Sequence, residues 1–128
     1  MSSIFSKIIR GEIPCYKVAE DEQFLAFLDV MPLQRGHVLV IPKIETDFIF
    51  DLEDNVLADM MIFSKKVAQR IKQNFECKKV GVAVIGLEVL HAHIHLIPIN
   101  AMNDMNFANL KLQLEPEELA EIAKRLAV

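Results

Sequence analysis

Three of the four histidines in this chain stand at alternate positions, in Leu90-His91-Ala92-His93-Ile94-His95-Leu96-Ile97-Pro98. The residues between them are apolar, so the segment alternates with period two and reads as a β-strand. Residues i, i+2 and i+4 of a strand share one face, which would put all three imidazoles on one surface and Ala92, Ile94 and Leu96 in a core. At ~3.3 Å of rise per residue, neighbouring rings root roughly 7 Å apart, close enough to act on one substrate atom. Several chemistries suit such a row. It could be the wet face of an amphipathic strand. Two histidines one residue apart also suit a tetrahedral zinc ion, with Glu88 and His37 as the other candidate ligands. A third possibility is imidazole as nucleophile or proton carrier. Its unperturbed pKa of ~6.5 leaves most rings neutral at pH 7, with one nitrogen free to attack and one able to donate.

Positioning such a row takes a sheet and helices to cover it. Ile4 to Arg10 carries apolar residues at 4, 5, 8 and 9, fitting a helix of one or two turns ended by Gly11. Tyr16–Glu20 and Phe24–Asp29 read as strands joined by Asp21-Glu22-Gln23. Pro32–Gly36 is a loop, and His37–Ile41 is a third strand closed by Pro42-Lys43. A long helix follows, with Asp51 or Asp54 able to cap it and Val56, Met60, Phe63, Val67, Ile71 and Phe75 in one apolar stripe. Leu57, Met61, Ser64 and Ala68 form a second stripe, which widens the apolar arc enough to suggest contact with a second subunit. Val80–Ile85 is a fourth strand, and the short turn Gly86-Leu87-Glu88 makes a hairpin with the histidine strand. Residues Asn100 to Leu112 are irregular. Pro116 opens a final helix over Glu117–Leu126. The sum is an α+β domain spanning 1–128, with an antiparallel sheet of about five strands, one long helix and short helices at both ends.

The net charge of −4 argues against broad binding to nucleic acid or anionic membrane. No apolar run approaches the ~20 residues needed to span a bilayer. The stretch Met1 to Arg10 lacks the apolar centre and cleavage site of a signal peptide. Cys15 and Cys77 are isolated, which gives no disulfide framework and points to a reducing cytoplasm.

The triad His91-x-His93-x-His95 followed by Leu96-Ile97 resembles that of the histidine-triad nucleotide hydrolases and transferases. Similar stretches run through Ile4–Pro14, Glu20-Asp21, Leu25–Asp29 and Gly36–Lys43, and the likeness is nearest to the bacterial nucleoside phosphoramidase branch. It covers residues 4 to about 98. The resemblance implies the fold named above and attack on the α-phosphorus of a nucleotide, with a dinucleoside polyphosphate hydrolase or a non-catalytic nucleotide-binding adaptor as alternatives. It implies His93 as nucleophile, the His91 carbonyl holding the proton of its far nitrogen, His95 contacting phosphate oxygens and helping to protonate the departing group, and His37 supporting the triad. Asp29 would hold the ribose hydroxyls. Ile4, Phe5, Ile8, Phe27, Leu28 and Val30 would line the base pocket, and Glu88 and Val89 would lie beside the nucleotide. A homodimer and a small-molecule nucleotide substrate are implied, with no cofactor. Zinc-binding relatives carry two Cys and a His where this chain has Ser3, Ser6 and Glu45, so no structural metal is expected. Many relatives also have Gly-Gln-Ser or Gly-Gln-Thr before the triad, and an Asn on the preceding strand. Gly86-Leu87-Glu88 brings no such side-chain donor to phosphate. A Glu88 carboxylate about 5 Å from a phosphate would cost roughly 3 kcal/mol at an effective dielectric of 20.

Overall fold

The computed structural model describes residues 3–128; Met1 and Ser2, part of the amino-terminal stretch read above, lie outside the described residues. Five strands form one antiparallel sheet in the order β1-β2-β3-β5-β4. They are β1 (Lys17–Glu20), β2 (Phe24–Leu28), β3 (Val38–Pro42), β4 (Lys79–Ala83) and β5 (Ile94–Ile99). Three α-helices accompany them: α1 (Ile4–Ile9), α2 (Asp54–Asn74) and α3 (Pro116–Leu126). Short 3-10 turns cover Ile49–Asp51 and Met102–Met105. This is the expected α+β class. No described helix is long and apolar enough to cross a membrane.

The central strands β2, β3 and β5 are buried on both faces, which is why they read as near-continuous apolar runs. Phe24, Ala26 and Leu28 of β2, Val38 and Val40 of β3, and Ile94 and Leu96 of β5 pack under α2 and α3 in the larger core. The alternate residues Leu25, Phe27, Leu39 and Ile41 form a second core with Phe5, against which Ile8 and Ile9 of α1 pack. His95 pairs in register with Leu39, so it belongs to this second face.

Several boundaries differ from the sequence reading. The histidine strand starts only at Ile94, so His91 and His93 lie on the lead-in rather than on the ladder itself. The cause is Pro42. The register that pairs Val40 with Ile94 would next bring Pro42 opposite Ala92, and proline has no N–H to offer. The Pro42 carbonyl is taken instead by the His91 ring at 2.8 Å, and the Ala92 N–H turns to the Thr46 carbonyl at 2.6 Å. β4 stops at Ala83; it does pair antiparallel with β5, but through the connection 84–93 and not a short turn. Neither Asp51 nor Asp54 caps α2. Glu53 holds the cap position without a side-chain bond, Asp54 is the first helical residue, and Asp51 sits in a 3-10 turn. Ser64, placed above in the second stripe, is fully in the core and donates to the Met60 carbonyl at 2.8 Å.

Candidate active site

The four histidines converge on the α1 side of the sheet, and all are buried. Backbone groups fix which nitrogen of each ring carries its proton. His93 Nδ1 lies 2.7 Å from the His91 carbonyl, an acceptor only, so Nδ1 donates and Nε2 keeps a free lone pair. At His37, the Leu33 N–H donates to Nδ1 at 3.1 Å, so the ring proton must sit on Nε2. That proton is donated to His95 Nδ1, 3.0 Å away. His95 in turn carries its own proton on Nε2. One free lone pair and one N–H are thereby presented by neighbouring rings, with the His93 and His95 centroids 4.9 Å apart.

Gly36 makes the His37 placement possible. It adopts φ +93°, and a Cβ there would meet the Phe75 ring at 3.0 Å. Both the left-handed backbone and the close approach require glycine. The relay it delivers is electrically quiet. Burial first, then the neighbouring rings and Lys111, lower His37 to a pKa of about 3; burial with His93 and Lys111 lowers His95 to about 4. Both rings are neutral near pH 7.

His91 points elsewhere. Its Nε2–H donates to the Pro42 carbonyl at 2.8 Å, and its Nδ1 accepts from the Ser3 hydroxyl at 2.8 Å. The three rings therefore do not stand in a single row over one atom. His91 contributes its carbonyl to His93 and hides its ring. Ser3 caps α1 by accepting from the Ser6 N–H at 2.9 Å. Ser6 Oγ donates to Glu45 Oε1 at 2.6 Å, and the Ser3 N–H donates to the same oxygen at 2.7 Å. Those bonds lower the pKa of Glu45, while burial lowers that of His91. The positions expected to lack zinc thus form a hydrogen-bonded cluster around His91 Nδ1.

Phe5 walls the site, edge-on to His93 at 5.1 Å, His91 at 5.8 Å and Phe27 at 5.5 Å. Val89 packs against this second core along with Ile8. Ile4 and Val30 are about half exposed, and Glu88 is exposed. Leu28 does not join them: its side chain packs in the core under α2 and α3, because period two turns it away from Phe27. Asp29 sits 3.7 Å from His37 Nε2 and caps the following turn through the Met31 N–H at 2.9 Å. Burial raises its pKa against that bond. Asp29, His37 and His95 offer three potential metal-ligand atoms within 4.8 Å of one another, a different set from the one weighed for the triad alone. His37 Nε2 and His95 Nδ1 are already joined to each other by a hydrogen bond. Phe107, which the sequence did not single out, covers His95 edge-on at 4.9 Å.

A family model described as HIT domain matches residues 10–102. The chain is 35% identical to adenosine 5'-monophosphoramidase hnt1 of Schizosaccharomyces pombe, over 99% of this chain and 97% of that one. It is 33% identical to an adenylylsulfatase of Arabidopsis thaliana, over 95% of this chain and 68% of that one. Among solved structures, a Hit-like protein of Bartonella henselae superposes with a TM-score of 0.85 at 32% identity, covering 98% of this chain and 93% of that one.

Proposed function

The chain belongs to the HIT family, and from that premise we propose that it hydrolyses a nucleoside 5'-phosphoramidate through a nucleotidyl-His93 intermediate. The observation that carries this reading is the 2.7 Å bond from His93 Nδ1 to the His91 carbonyl, which puts the ring proton on Nδ1 and leaves Nε2 with the free lone pair. The relatives named for acting on adenosine 5'-monophosphoramidate and adenylylsulfate support the substrate class.

In the first step the His93 Nε2 lone pair forms a bond to the α-phosphorus while the P–N bond breaks, and the amine departs with a proton taken from solvent. Water then attacks phosphorus, the N–P bond breaks, and the nucleoside 5'-phosphate leaves with His93 restored. Imidazole suits both steps because it attacks well and leaves well. The locked relay suits His95 to hydrogen-bond donation rather than full proton release. Its Nδ1 is occupied by the His37 proton, so releasing the Nε2 proton would leave an imidazolate. The Nε2–H would stabilise charge gathering on a phosphate oxygen. Asp29 would accept from the ribose hydroxyls, and Phe5 and Phe27 would contact the base.

A homodimer fits the opposite end of the sheet. β4 is an edge strand, and exposed Met61, Ile62, Val82, Val84 and Ile85 surround it. A cavity of about 450 Å³ opens there, lined by Leu57, Met61 and Val84 but by none of the histidines. Pairing this face with a second copy would cover both the edge and the apolar side chains. Sedimentation as a monomer at micromolar concentration would refute this. A cytoplasmic location goes with the unpaired Cys15 and Cys77.

The decisive experiment is rapid quenching with adenosine 5'-phosphoramidate followed by peptide mass spectrometry. A nucleotide adduct on the peptide bearing His93, absent in His93→Ala, is the expected result. Undiminished turnover by His93→Ala would end this account.

A further inference from the structure

Residues beyond the family match at 102 lie against the histidines. The segment 106–112 runs back over the histidine side of the sheet. Phe107 stands edge-on to His95 at 4.9 Å and to His37 at 6.5 Å. The Leu112 N–H donates at 2.8 Å to the carbonyl of Pro32, in the loop that follows Asp29. Lys111 is placed between these two anchors. Its Nζ donates to the Phe107 carbonyl at 2.7 Å, lies 3.4 Å from the Asn109 carbonyl, and sits 6.0 Å from the Phe107 ring centroid.

Among the described residues, no carboxylate pairs with Lys111. A half-buried ammonium satisfied only by carbonyl dipoles and a ring face is short of counter-charge. Its field reaches the site, where it adds to the lowering of the His37 and His95 pKa values and opposes the burial that raises that of Asp29. The reacting end of the groove needs such a group. His37 and His95 are neutral, and Gly86-Leu87-Glu88 contributes a carboxylate rather than a donor. A phosphoryl group under attack gathers negative charge on its non-bridging oxygens, and a fixed cation stabilises it.

Resting on the nucleotide-hydrolase reading, we infer that Lys111 is a phosphate-binding residue whose ammonium turns from the Phe107 and Asn109 carbonyls to a non-bridging oxygen of the nucleotide 5'-phosphate. The carboxyl-terminal segment is then part of the site, and it selects nucleoside phosphates over nucleosides. It supplies the charge that the Gly86-Leu87-Glu88 turn does not.

Calorimetric binding of AMP and of adenosine at low salt tests this in the wild type, Lys111→Gln and Lys111→Arg. The Gln variant should bind AMP about tenfold more weakly, the worth of one charge-assisted hydrogen bond. It should bind adenosine within about twofold of wild type, which also shows that the pocket is folded. Lys111→Arg should recover most of the AMP affinity. Unchanged AMP binding by Lys111→Gln would overturn the inference, as would equal losses for AMP and adenosine, which would make Lys111 a strut of the tail. A wild-type protein that binds neither ligand would instead bring down the hydrolase reading, and the inference with it.

Discussion

His91 and His95 flank the proposed nucleophile, His93, and the two are held in place by opposite means. His91 is braced by an arm from the start of the chain: the Ser3 hydroxyl on its ring, Ser6 and Glu45 behind that, and an exposed carboxylate at the end. His95 is braced by a dry relay of His37 and the Leu33 N–H, roofed by Phe107. The first brace is partly wet and charged, so water can replace pieces of it. The second is buried and neutral, so a missing piece leaves an orphan. Proteins that must fix a tautomer can use either device, but they differ in what each tolerates.

The largest effect should come from breaking the dry side. His37→Ala removes the donor to His95 Nδ1 and the acceptor for the Leu33 N–H. It should lower kcat roughly a hundredfold or more and cost about 1–3 kcal/mol of stability. Steady-state kinetics and urea denaturation at pH 7 measure both; a loss below about threefold in kcat would mean that His95 does not depend on the relay.

Acid should also find the dry side first. His37, His95 and His91 all have folded-state pKa values below the ~6.5 of an unfolded chain. The unfolded state therefore binds more protons, and stability rises with pH through this range. The contribution is whole above about 6.5 and drains away as pH falls toward about 4 and about 3. Asp29 works in the opposite sense, because its folded pKa is raised, but it is one group against three. The urea midpoint should accordingly be lower at pH 4.5 than at pH 7, and His37→Ala should shrink that difference. An equal slope in both proteins would locate the acid sensitivity elsewhere.

Breaking the wet side should do less. Ser3→Ala deletes the donor to His91 and the cap of α1. About 1 kcal/mol of stability and about a fivefold fall in kcat are expected, the worth of a cap and one neutral hydrogen bond. Glu45→Gln keeps an acceptor for Ser6 and changes only an exposed charge, so kcat should stay within about twofold. If Glu45→Gln proves as damaging as His37→Ala, the contrast drawn between the two braces is wrong.

Much of this geometry was legible in the sequence. Period-two alternation assigned Ala92, Ile94 and Leu96 to one core correctly, and the strands β2, β3 and β5 followed from β-branched and aromatic runs. The sequence alone starts β5 too early because the limit lies in its partner: Pro42 forbids the next rung, and pairing is not visible in one strand alone. Treating the three rings as one row failed for the same reason, since the Pro42 carbonyl captures His91. The family resemblance places Leu28 at the base pocket, yet strand alternation turns it to the other face. Ser3, Ser6 and Glu45 stand out as a group, but the contacts of the two serines with His91 and with Glu45 depend on α1 docking against a loop some forty residues later. Phe107 and Lys111 left no trace because irregular segments carry no period; an isolated aromatic and lysine in a polar tail would have been the only hint.

Phe5 touches His91, His93 and Phe27 from a helix of only six residues. A helix so short has little stability of its own, so it stays folded by leaning on the sheet. Its fraying would need far less free energy than melting the strands, and amide exchange in α1 should outpace exchange in β3 and β5. Each such opening would strip the groove of its wall and release Ser3 from His91 while the rest of the molecule stays native. Loss of activity on gentle warming would then begin well before any change in the sheet's circular dichroism.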